Sequence, residues 1–130
     1  MSRTSVDAPG APAPVGPYSH AVAARGELVY LSGQTPIDPA SGRLVEGDVS
    51  VQVRQVFANL ERVLTASGVS FAEVVKVNVF LVDMSDFETM NTVYASVFEA
   101  PYPARTTVAV AGLPLGARVE IELVALRDAA

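Results

Sequence analysis

Apolar residues in the middle of this chain change period twice, and that change restricts the fold more than any other feature of the sequence. From Asp48 to Ser67 they fall at Val49, Val53, Val56, Phe57, Leu60, Val63 and Leu64. That spacing predicts an amphipathic helix of about five turns, ended by Gly68. From Val74 to Val82 the pattern becomes alternation, with Val75, Val77, Val79 and Leu81 set against Lys76 and Asn78, as in a strand. Helical spacing then returns: Ser85 and Glu88 form a capping-box pattern, and Phe87, Met90, Tyr94, Val97 and Phe98 line one face of a helix that stops before Pro101 and Pro103.

Strands flank this core. Leu28 to Ser32 reads as a short buried strand ending at Gly33, with His20 to Ala24 as its hairpin partner across Arg25-Gly26. Pro36, Asp38-Pro39 and Ser41-Gly42 predict a loop. Thr106 to Ala111 and Ala117 to Leu126 predict two more strands, joined through Gly112-Leu113-Pro114-Leu115-Gly116. The order is β-β-α-β-α-β-β, an α+β domain whose right-handed crossovers place both helices on one face of one sheet. In the last strand Val119, Ile121, Leu123 and Ala125 suit the helix-facing side. The opposite face would leave Phe80, Val82, Val124 and Leu126 uncovered in a monomer, which predicts subunits packed sheet-face inward, as a closed ring.

Composition narrows the chemistry. A length of 130 residues fits one domain, and a chain that is half apolar and 18% charged can bury a core. With no cysteine or tryptophan, disulfide scaffolds, zinc ribbons and thiol nucleophiles are excluded, and a cytosolic location fits. A net charge of −5 opposes nonspecific nucleic-acid binding. Apolar runs are of strand length, far below the roughly 20 residues that span a bilayer. Residues 1–14, with Pro9, Gly10, Pro12 and Pro14, read as a flexible Pro/Ala-rich arm outside a domain of residues 15–130, and not as a secretory signal.

Two charges in apolar strands need a reason. Arg105, directly after Pro103-Ala104, offers a planar donor fork suited to a carboxylate or phosphate; a structural ion pair is the alternative. Glu120, within Val119-Glu120-Ile121, is a candidate general base, since partial burial raises a carboxylate's pKa; a pairing with Arg118 or Lys76 is the alternative. Lys76, the only lysine, would form a Schiff base only if desolvated, and His20, the only histidine, makes neither a triad nor a metal site by itself. No metal-ligand spacing, dinucleotide motif or phosphate loop occurs.

Five short motifs stand in order over residues 16–126. They are Gly16-Pro17-Tyr18-Ser19, Ser32-Gly33-Gln34-Thr35-Pro36, Asp86-Phe87 with Met90-Asn91 and Tyr94, Pro103-Ala104-Arg105-Thr106, and Leu113-Pro114 followed by Val119-Glu120-Ile121-Glu122. In these the chain resembles the RidA (YjgF) family. The resemblance implies a chorismate-mutase-like domain, a homotrimer whose sheets line a central barrel, and sites in clefts between subunits. It implies hydrolysis of 2-imino acids, or of their 2-aminoacrylate enamine tautomers, to 2-oxo acids and ammonia without a cofactor. Substrates of this kind include 2-iminopropanoate and 2-iminobutanoate.

Residue by residue, the resemblance makes Arg105 the holder of the substrate carboxylate and Glu120 the acid that orients and deprotonates water. Gly33 matches a backbone position close to the ligand, Tyr18 and Asn91 match pocket-lining residues, and Ser32 matches a pocket-side serine. Each of these four also has a plain reading, as turn, packing ring, helix-surface amide and strand-end hydrogen bond. Thr107 stands where some relatives carry cysteine, and its hydroxyl could bond a ligand carboxylate. The segment Phe98 to Pro103 is short and leads straight into Arg105, which bears on cleft shape. The family is mixed, so a noncatalytic carboxylate-binding or chaperone-like trimer and a ribonuclease or translation inhibitor stand as alternatives; keeping both Arg105 and Glu120 favours the deaminase.

Overall fold

The two periods of the sequence become helices laid across one side of a sheet. In the computed structural model, which describes residues 3–128, the elements run β1 (Thr4–Val6), β2 (Ala21–Ala23), β3 (Glu27–Gln34), β4 (Ile37–Asp38), β5 (Arg43–Leu44), α1 (Val49–Ala66), β6 (Val74–Leu81), α2 (Phe87–Val97), β7 (Ala104–Ala109) and β8 (Val119–Arg127). The main sheet has the order β3-β8-β6-β7, with β6 and β7 parallel and the other pairs antiparallel. This is the expected mixed α+β domain with two helices on one face.

α1 forms where its stripe demands it. The Asp48 carboxylate accepts from Val51 N at 3.1 Å, satisfying a free amide of the first turn, and Gly68 takes φ +78 beyond the last turn. Val53, Val56, Leu60 and Leu64 are fully buried, each such side chain contributing roughly 1.5–3 kcal/mol, whereas Val63 falls off the stripe and is 37% exposed. The stripe packs on Val77, Val79, Leu81, Ile121 and Leu123 of the central strands. Between the helices Phe57, Tyr94 and Phe98 meet edge to face or tilted, with centroids 4.6–5.9 Å apart. No helix among the described residues is long and apolar enough to cross a membrane.

Several local expectations are corrected. The arm assigned to residues 1–14 includes β1, which pairs with β2, and Arg3 is buried, so this stretch is laid on the fold; residues 1 and 2 lie outside the described residues, as do 129 and 130. β2 therefore pairs with β1 and not with β3, whose partner is β8. The loop of residues 36–44 contains the small β4–β5 hairpin. Asp83, not Ser85, caps the turn before α2, and the capping box is made by Ser70 and Glu73 ahead of β6. On the sheet's open face Tyr30 and Leu28 are the most exposed apolar residues, at 73% and 55%, whereas Leu126 is buried beside Val22 and Val75.

Candidate active site

Arg105 enters the sheet as the second residue of β7, and its register with Val77 fixes which way it faces. Partners across a sheet share a face, and Val77 is buried under the helices, so the guanidinium lies on the helix side. There α2 presents Phe87, Asn91 and Tyr94, four and three residues apart along one stripe. The Arg105 Cζ sits 4.9 Å from the Tyr94 ring centroid, 5.7 Å from that of Phe87 and 5.0 Å from that of Tyr18. Aromatic faces thus hold the cation without consuming its donors.

The amino-terminal segment packs over this group, with the Tyr18 ring against the guanidinium. Tyr18 N donates to Gly16 O at 2.9 Å, and Ser19 ties the turn to the stretch before β7 through Ser19 N to Pro103 O at 3.1 Å and Ser19 Oγ to Tyr102 O at 2.5 Å. Gly16 is needed for close approach: a Cβ there would lie 3.1 Å from both Arg105 Nη2 and Asn91 Nδ2. Among the described residues, four buried side-chain polar atoms have no hydrogen-bond partner in the protein: Arg105 Nη1, Asn91 Oδ1, Tyr94 Oη and Thr107 Oγ1. All four belong to α2 or to the helix face of β7. Buried polar atoms left open in this way are what a polar ligand or water would satisfy.

Burial lowers the Arg105 pKa, partly opposed by Tyr94 and Tyr18, and burial raises that of Tyr94, opposed by Arg105 and Arg3. Tyr94 therefore remains a neutral donor at ordinary pH, while Arg105 makes no contact with a carboxylate among the described residues. Among the described residues the ion pairs are Arg118–Asp86 and Arg127–Glu27. The structural ion pair considered for Arg105 is absent among these residues.

Glu120 lies elsewhere on the sheet. Its register partner is Phe80, which puts it on the open face. Its carboxylate rests against Gly33 at the bulge between Leu31 and Gln34, where a Cβ would overlap Oε2 and come within 3.0 Å of Cδ. Ser32 beside it is exposed. The alternative partners for Glu120 are occupied: Arg118 binds Asp86 at 2.7 and 3.0 Å, and Lys76 Nζ donates to Thr106 Oγ1 at 2.9 Å on the exposed surface.

The candidate residues thus form two groups: Arg105 with Tyr18, Asn91 and Thr107, and Glu120 with Gly33 and Ser32. Within one chain the sheet separates them. His20 holds the amino-terminal loop, Nδ1 accepting from Ala8 N at 3.2 Å and Nε2 lying 2.7 Å from Pro12 O. No cluster of His, Asp or Glu suited to a metal ion occurs among the described residues.

Two contributors are absent from the sequence-based expectations, Arg3 and Asn59, and Tyr94 stands in a family motif and on a core face with no tie there to Arg105. Arg3 lies in the stretch expected to be an arm. Asn59, on the buried stripe of α1, donates to Thr35 O at 3.3 Å and Ile37 O at 2.9 Å and so holds the chain just beyond Gly33. A polar residue at a core position of α1 was the available signal for Asn59.

The family described as "Endoribonuclease L-PSP" matches residues 9–127. The 2-iminobutanoate/2-iminopropanoate deaminase of Bos taurus is 45% identical over 127 residues, covering 98% of this chain and 92% of the relative. Among solved structures, RidA from the Antarctic bacterium Psychrobacter sp. PAMC 21119 superposes with a TM-score of 0.75 at 44% identity, covering 95% of this chain and 99% of that one. E. coli TdcF with bound serine gives a TM-score of 0.75 at 36% identity, over 96% and 99% of the two chains.

Proposed function

Because the chain belongs to the YjgF/RidA family, the one described as Endoribonuclease L-PSP, we propose that it is a hydrolase that converts 2-imino acids and their enamine tautomers to 2-oxo acids and ammonia. The observation that carries this reading is Arg105, a half-buried arginine held by aromatic faces, whose buried Nη1 has no protein partner and which makes no ion pair among the described residues. A cation kept in that state is ready for an anion, and its fork fits a small carboxylate through two parallel hydrogen bonds. Thr107 Oγ1, Tyr94 Oη and Asn91 Oδ1 supply further polar contacts around it.

The chemistry asks little beyond this. The iminium carbon of R–C(=NH2+)–COO− is already electrophilic, so catalysis consists of fixing the anion, placing one water and moving protons. In this reading Arg105 holds the carboxylate while Glu120 orients the water and takes one of its protons as the C–O bond forms. The resulting carbinolamine is protonated on nitrogen, the C–N bond breaks, and ammonia leaves with the 2-oxo acid. Carbon keeps its oxidation state throughout, so no redox partner enters the balance.

Arg105 and Glu120 face opposite sides of one sheet, so this division of labour needs the arginine of one copy to meet the carboxylate of another. The exposed Tyr30 and Leu28 on the open face support self-association. The assembly we propose is a homotrimer with its sites between protomers. A cytosolic role in removing reactive imines fits the cysteine-free composition. Ribonuclease activity, named in the family description, draws no support from a net charge of −5 or from an arginine enclosed by rings.

The test is release of 2-oxobutanoate from 2-iminobutanoate generated by a threonine dehydratase. The parent should accelerate it. Arg105→Ala should lose roughly 2–5 kcal/mol in kcat/KM, a fall of about 30-fold to several thousand-fold. An inactive parent, or an Arg105→Ala variant as fast as the parent, contradicts the reading.

A further inference from the structure

The connection from α2 to β7, residues 98–103, has to deliver Arg105 into register with β6 while making no ladder of its own. Its carbonyls need donors from elsewhere. They come from the amino-terminal segment. Arg3 Nε donates to Pro101 O at 2.6 Å and Arg3 Nη2 to Glu99 O at 3.1 Å, while Arg3 Nη1 reaches Phe71 O, Ala72 O and Val74 O at 3.1, 2.7 and 3.0 Å. Ser19 takes the next two carbonyls, Tyr102 O and Pro103 O.

A buried guanidinium ordinarily answers a carboxylate. Arg3 is only 7% exposed, yet it ends on carbonyls from two separate stretches, and no ion pair engages it among the described residues. Only a rigid fork of five N–H donors can serve such a set; a lysine has three donors at one point. A second link runs through the rings. The Arg3 Cζ lies 6.0 Å from the Phe98 centroid, Phe98 lies 4.6 Å from Tyr94, and Tyr94 carries the Arg105 guanidinium at 4.9 Å. Cation, two rings, cation and the Tyr18 ring follow one another, so Arg3 fixes both the backbone leading to Arg105 and the column that supports its side chain.

We infer that Arg3 is a positioning residue for the carboxylate-binding arginine, setting the aim of Arg105 through the 98–103 connection and the Phe98–Tyr94 stack. This rests on the imine-hydrolase reading, in which Arg105 grips a carboxylate. A merely structural Arg3 would change how much protein is folded; a positioning Arg3 changes how well each folded site tells a carboxylate from its neutral amide.

Calorimetric binding of 2-oxobutanoate and 2-oxobutanamide to the full-length protein separates the two. The parent should prefer the acid, and Arg105→Ala should erase the preference. Arg3→Gln should reduce the acid-to-amide affinity ratio by about tenfold while amide affinity stays within about twofold, with Arg3→Lys falling between it and the parent. Val56→Ala, a core variant that removes no hydrogen bond to the connection, should lower stability but keep the parental ratio. If Arg3→Gln does not fold, Arg3→Lys carries the test, supported by Ser19→Ala, which removes the bond to Tyr102 O. A parental ratio in the folded Arg3 variants overturns the inference while leaving the imine-hydrolase reading standing. A parent that does not prefer the acid overturns both.

Discussion

At the scale of single residues the molecule keeps two groups in states that a stable fold alone does not require. One is the open Arg105 fork; the other is the Glu120 carboxylate laid against Gly33. Gly33→Ala should push the carboxylate aside, because the new methyl would occupy its place. Since Arg105 grips the substrate carboxylate in the proposed site while Glu120 acts on the water, the loss should fall on kcat, by about 10²-fold, the scale of an ångström's misplacement, with KM little changed. Steady-state kinetics on the dehydratase-generated imine measures that split, and a variant whose KM alone rises would contradict it.

Tyr94 gives a pH signature. Burial holds its folded pKa above the ordinary 10.0, so the unfolded chain loses this proton first as pH rises. Stability from Tyr94 is therefore fully present below pH 10.0 and falls above it. Tyr94→Phe should flatten that decline in denaturant midpoints taken on either side of this pH. An unchanged alkaline slope would contradict the assignment.

At the scale of elements, stability concentrates where α1 meets the sheet. Leu60 is fully buried in that contact, so Leu60→Ala should cost about 2–5 kcal/mol. Asp48→Ala, which removes only the cap bond to Val51 N, should cost about 0.5–2 kcal/mol. Denaturant unfolding of the two variants checks the order, and equal costs would contradict it.

The same contact explains what could be read from the sequence. α1, β6, α2 and β8 each bury one side along several turns or alternations, and that one-sidedness is written into the spacing of their valines and leucines. β1, β4 and β5 are two or three residues long, too short to alternate visibly. Pairing is set by distant strands, so β2 turned to β1 while β8 took the edge of β3. Ser70 with Glu73 and Ser85 with Glu88 have one local pattern, and only the surrounding fold decides which becomes the box. Arg105 stood out as a charge entering a strand after Pro103-Ala104, and Glu120 as one between Val119 and Ile121. Their opposite faces did not, because facing depends on the registers of β7 and β8 with β6. Arg3, inside a proline-rich stretch, had no periodicity to mark it.

For the whole molecule the proposed function requires association. An open face that shows Tyr30 and Leu28 fits it, and a proposed reaction whose two main groups diverge within one chain needs further copies. Sedimentation should find a trimer at micromolar concentration, and a stable monomer would contradict the proposed assembly.

The most direct measurement is 2-oxobutanoate release by an equimolar mixture of Arg105→Ala and Glu120→Gln, unfolded and refolded together. Each variant alone should be nearly inactive. If each site joins the arginine of one copy to the carboxylate of the next, random mixing leaves about a quarter of the sites intact and restores about that share of parental rate. A mixture no faster than the sum of its two inactive components would contradict the account.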